Sequence, residues 1–112
     1  MIQKNTPETP ISMQGVPIML RTISPCIECH DDFIGDGTTL DITLNAETKL
    51  LAITVLDYPV AMKADTGVSM SDFDLYLLPG QHELLIGSDV NAISYYADGG
   101  GATVETVERR SL

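Results

Sequence analysis

A chain of 112 residues holds one domain with a single modest core. Its 44% hydrophobic and 20% charged content excludes wholesale disorder, and with no Trp, two Phe and four Tyr the core falls to Leu, Ile, Val and Met. Sixteen acidic against six basic side chains give a formal charge of −10, and Lys63 is the only Lys or Arg between Leu50 and Glu108, a field that repels phosphate backbones and speaks against DNA or RNA as a direct partner.

In chain order, Met1 to Gly15 is polar, holds Pro7 and Pro10 and shows no period. It reads as an extended arm rather than part of a core. The same stretch has no apolar run of the secretory kind, and nowhere does the sequence approach the ~20 apolar residues of a membrane span, so a cytoplasmic product with no membrane partner is expected. Val16 to Ile23 fits a first strand, with Pro17 near its start, where a missing donor is tolerated.

Cys26 to Gly37 reads as a loop rich in Asp and Gly. It contains Cys26-Ile27-Glu28-Cys29-His30, the spacing of c-type haem attachment. That chemistry belongs to exported, helix-rich domains, and no helical period accompanies it here. A zinc reading takes Cys26, Cys29 and His30 as three ligands and needs a fourth from Asp31, Asp32 or His82, but no second CxxC or HxxxH pair is present. With two cysteines and a reducing compartment, the default is a pair of thiols beside an incidental His, with no metal or cofactor. Asp31 to Gly37 imitates the start of a calcium loop. Counted from Asp32, however, the third and twelfth positions are Ile34 and Thr43, which cannot supply the ligands such a loop needs.

From Thr38 to Val107 the sequence is a succession of short alternating or apolar runs between turn residues. Leu40, Ile42 and Leu44 share one face of a strand. Thr48 to Leu56 suits a largely buried strand, although Ala46 to Leu51 also favours a helix. Val60 to Lys63 is another strand, followed by an exposed loop over Ala64 to Asp72. Phe73 to Leu78 ends at Pro79-Gly80, His82 to Ile86 follows, and Asn91 to Tyr96 turns through Gly99-Gly100-Gly101 into Ala102 to Val107. In that last strand Ala102, Val104 and Thr106 share one side. About eight short strands predict an all-β, single-domain sandwich or jelly roll over Val16 to Glu108, with Arg109 to Leu112 as a short tail. Asp72 and Asp74 are placed like paired carboxylates and read better as a solvated face. Neither His30 nor His82 has a nucleophile motif beside it, and no phosphate loop is present, so an enzyme is not expected.

The C-terminal half carries a resemblance. Phe73 to Ile86, with its Pro79-Gly80-Gln81-His82 turn, and Asn91 to Glu108, with an isoleucine-bearing strand, a Gly-rich hairpin and a final strand, are similar to small structural proteins of tailed bacteriophages. The resemblance spans roughly the last 40 positions. It implies a non-enzymatic virion component, a head decoration or cement protein on the capsid exterior. Such a protein is expected to form a homotrimer and to bind the major capsid protein where capsomers meet. Under that reading Met1, Ile2, Pro7, Pro10, Ile11 and Met13 of the arm would contact the capsid or a neighbouring copy. Two other readings stay open. One is a tail or baseplate accessory protein that uses Tyr58, Tyr95 or Tyr96 on a receptor or glycan. The other is a metal-binding module built on Cys26, Cys29 and His30.

Overall fold

A computed structural model of the chain describes residues 26–110. The expected arm at 1–15 and the expected strand Val16 to Ile23 lie outside the described residues. Within them are eight strands and no helix: β1 Cys26–Ile34, β2 Thr39–Thr43, β3 Leu50–Leu56, β4 Val60–Lys63, β5 Leu75–Leu77, β6 Gly80–Leu85, β7 Ala92–Ala97 and β8 Ala102–Arg109. They form two four-stranded antiparallel sheets, ordered β1-β8-β3-β6 and β2-β7-β4-β5.

The pairs β1·β8, β2·β7, β3·β6 and β4·β5 match strands equally distant from the middle of the folded segment. One long hairpin has therefore been rolled up, and β3·β8 with β4·β7 then zip the coil into two sheets. This is the jelly-roll arrangement. The expected all-β sandwich is the fold of the chain.

The core lies between the sheets. Ile42 from β2, Ile53 and Val55 from β3, Val60 and Met62 from β4, Ile93, Tyr95 and Ala97 from β7, and Ala102 and Val104 from β8 are all buried in it. Alternation along each strand delivers these residues to one side, and the parity expected for β8 holds, with Ala102, Val104 and Thr106 inside. The helix considered for Ala46 to Leu51 does not form. A turn at Ala46-Glu47 leads into β3 instead.

Two corrections follow from pairing. Cys26 to Ile34 is a nine-residue strand and not a loop. Its inward positions are Glu28, His30, Asp32 and Ile34, of which only Ile34 is apolar, so the period-two signal was hidden by polar residues at the end of the sandwich. Pairing with β8 makes it a strand despite poor β propensity. In addition, β8 continues to Arg109 rather than stopping near Val107, because Lys49 N–H donates to the Arg109 carbonyl (2.8 Å) and Leu50 sits opposite it.

The Gly-rich turn between β7 and β8 is roofed by aromatic rings. A Cβ on Gly100 would lie 2.6 Å from the Tyr58 ring, and one on Gly101 would lie 2.5 Å from that of Phe33. The absence of side chains there lets both rings settle on bare backbone.

Candidate functional site

Strand alternation divides the Cys26 to His30 string between two faces of β1. Glu28 and His30 point toward the inner side at the end of the sandwich, and Cys29 points outward. His30 meets Glu108, whose side chain is fully buried although it is a carboxylate. Glu108 Oε2 accepts a hydrogen bond from His30 Nε2–H at 2.6 Å. Its Oε1 accepts two more, from Asn45 N–H at 2.8 Å and the Thr48 hydroxyl at 2.6 Å. Burial alone pushes the Glu108 carboxyl up. The hydrogen bonds from His30, Thr48 and Asn45, with the attraction of His30, outweigh it and hold the group below the usual carboxylate range.

The next inward residue of β8 continues the polar line. Thr106 shares a 2.7 Å hydrogen bond with the hydroxyl of Tyr95, a ring with no exposed surface. Burial raises the Tyr95 phenol well above its ordinary value, with the Thr106 bond opposing. Glu108, Thr48, Thr106 and Tyr95 thus give one end of an otherwise apolar core a satisfied polar lining.

Among the described residues, those best placed to hold a metal are Glu28, His30 and Glu108, whose ligand atoms lie within 4.8 Å of one another. Ligands about 2.1 Å from a tetrahedral ion sit about 3.4 Å apart. The 2.6 Å between His30 Nε2 and Glu108 Oε2 is instead a charge-assisted hydrogen bond, with Glu28 more distant at 3.8 Å. As arranged, the trio is a histidine hydrogen-bonded to one carboxylate with a second carboxylate nearby.

The expected metal set does not converge. Cys26 and Cys29 are exposed free thiols with their sulfurs 2.8 Å apart, while His30 is committed to Glu108 on the other side of the strand. A β-bulge between Cys26 and Glu28 brings the two sulfurs together. Of the other candidate ligands, His82 Nε2–H donates to the Leu78 carbonyl at 2.7 Å and staples the Pro79-Gly80 turn. Asp31 and Asp32 belong to β1 rather than to a calcium loop. Asp72 accepts from the Lys63 ammonium at 2.7 Å, and Asp74 accepts from Ala64 N–H at 2.8 Å, so both tether the loop before β5.

A feature that sequence reasoning missed is an apolar edge. β5 is the outermost strand of its sheet, and around it Phe73, Leu75, Tyr76 and Leu78 are all exposed, Leu78 by 60%. Phe73 and Tyr76 rings lie 6.1 Å apart, and the Tyr76 hydroxyl donates to Asp98 Oδ2 at 2.6 Å. Leu85, 75% exposed, closes β6, an edge strand of the other sheet. The sequence showed Phe73 to Leu78 as an apolar run, but only the strand order reveals that it has an open side. Of the tyrosines considered for ligand contact, Tyr95 is fully buried and Tyr58 about half exposed. Met1, Ile2, Pro7, Pro10, Ile11 and Met13 lie outside the described residues. Comparison with protein-family models, with curated proteins and with solved structures gives no match to this chain.

Proposed function

We propose that this chain is a non-enzymatic structural protein of a tailed-phage virion, a decoration or cement protein that docks on the assembled head as a homo-oligomer and reinforces contacts between capsomers. The observation that carries the reading is the exposed apolar edge around β5 on an otherwise acidic jelly-roll body. Exposed apolar patches of this kind mark contact surfaces, and an unpaired edge strand offers a row of backbone donors and acceptors to a partner. The similarity of Phe73 to Glu108 to small virion proteins supports the same reading, since that stretch supplies β5 through most of β8. The partners would be the major capsid protein and further copies of this chain, a trimer being the expected form, and the location the capsid exterior.

The test is co-sedimentation of the purified chain with heads stripped of accessory proteins. Saturable binding is expected for the wild type. The double variant Leu75→Glu, Leu78→Glu, which adds charge to residues already exposed, should fold normally and lose that binding. Equal binding by wild type and variant, or none by the wild type, would remove the proposal.

A second reading is favoured by the Phe73 and Tyr76 rings beside Asp98. Exposed aromatic faces next to a carboxylate suit a sugar, which would make the chain a tail or baseplate accessory protein that binds a receptor glycan. A glycan array distinguishes the two. Binding that Tyr76→Ala abolishes would favour this second role.

A further inference from the structure

The Cys26 and Cys29 pair takes no part in the contact surface or in the buried polar network. Two cysteines three positions apart on a regular strand point to opposite faces, because side chains alternate with period two. Here the bulge after Cys26 inserts one extra residue, Ile27, against β8: Cys26 pairs with Arg109 and Glu28 with Glu108. That offset restores the two cysteines to one side of the strand, where their sulfurs stand 2.8 Å apart and open to solvent.

The separation discriminates between two uses of the pair. Two thiolates on one tetrahedral zinc ion, each about 2.3 Å from the metal, sit about 3.8 Å apart. A disulfide closes at about 2.05 Å. The sulfurs are already about 1 Å too close for a shared ion, and His30, the third ligand the spacing offers, faces Glu108 instead.

We propose that Cys26 and Cys29 are an intramolecular thiol–disulfide exchange site that reacts with small organic disulfides of the glutathione class. The thiolate of one of the two cysteines, both open to solvent, attacks one sulfur of the small disulfide, whose S–S bond breaks and releases one small thiolate. The sulfur of the other cysteine then attacks the mixed disulfide, forms the Cys26–Cys29 bond and expels the second small thiolate. Two electrons pass from the protein sulfurs to the small disulfide, and the two protons lost by the cysteines leave on the two small thiols. The hydrogen bond between the sulfurs is the chief cause that raises the Cys26 thiol. The neighbouring sulfur is held at high effective concentration, so the second step outruns attack by another chain.

The experiment uses the full chain, reduced, freed of reductant and incubated with oxidised glutathione at neutral pH. Intact-mass measurement should show a monomer lighter by two hydrogens, with neither cysteine open to iodoacetamide, and dithiothreitol should restore both thiols. Cys26→Ser should stop at a stable glutathione adduct on Cys29. Cys29→Ser should likewise stop at a stable glutathione adduct on Cys26. His30→Ala should close the pair as the wild type does. Any of three results overturns the proposal: persistent glutathione on both cysteines of the wild type, disulfide-linked dimers as the main product, or one zinc per chain held by Cys26 and Cys29 in the reduced protein. None of these outcomes depends on head binding.

Discussion

Glu108 is the residue whose environment differs most from that of a typical carboxylate. A buried charge is stabilised when hydrogen-bond donors reach it, and His30 on one oxygen with Thr48 and Asn45 on the other supply them to both oxygens of Glu108. Replacing Glu108 by Gln turns one acceptor oxygen into a donor group that faces another donor. Denaturant unfolding should register a loss of about 3 kcal/mol. His30→Ala should cost less, about 1–2 kcal/mol, since two of the three donors remain. The pH dependence follows from the lowered carboxyl. A group with a folded pKa below its unfolded value contributes stability above the unfolded pKa and loses it as the pH falls through the folded one. The unfolding midpoint should therefore decline on acidification below about pH 4.3, and Glu108→Gln should flatten that decline. Tyr95 acts at the other extreme. Its phenol is raised in the fold, so its contribution is present below the unfolded value and is lost as the pH climbs past about 10. Tyr95→Phe should remove that alkaline loss at a cost of about 1 kcal/mol, measured by urea titration at pH 8 and pH 11.

Strands differ in exposure according to their place in the two sheets. β8 and β3 are flanked on both sides in one, β7 and β4 in the other, while β1, β2, β5 and β6 are edges. Native-state hydrogen exchange should accordingly be slowest in β3, β7 and β8 and fastest in β5 and β6. Protection of β5 equal to that of β8 in concentrated protein would mean that its edge is covered by a second copy, and dilution should then reverse it. Legibility in the sequence follows the same division. β2, β4 and β8 were readable because Ile42, Val60 and Val104 sit in alternating or apolar runs whose buried side is apolar. β1 was not, because Glu28, His30 and Asp32 occupy inward positions near the end of the sandwich. The polarity of His30 makes sense only once the buried Glu108 is known to be its partner. The same limit hid the site. The Cys26 to His30 spacing attracts attention, yet the partner that matters to His30 is 78 positions away.

At the level of the molecule, the acidic charge of the jelly roll sets like copies repelling one another, and the proposed homo-oligomer would have to form against that repulsion through the exposed β5 edge. Like charge across the outer face of the first sheet, where Asp31 stands directly opposite Glu105, adds to that repulsion. Salt screens it, so self-association through the β5 edge should strengthen between about 10 mM and 150 mM salt, over which the screening length shortens from about 30 to about 8 Å. Sedimentation velocity across that range measures the effect, and Leu75→Glu with Leu78→Glu should abolish it. The rolled hairpin has a further consequence, for the order of events during synthesis. β8 fills the gap between β1 and β3, so β1, which has no other sheet neighbour among the described residues, must wait for the last described strand to be made before its sheet can hold it. Until then Ile34, Ile53 and Val55 have no lid, and the nascent chain stays open to any other edge it meets. A chain stopped after Gly101 should be recovered as aggregate rather than as a smaller folded domain.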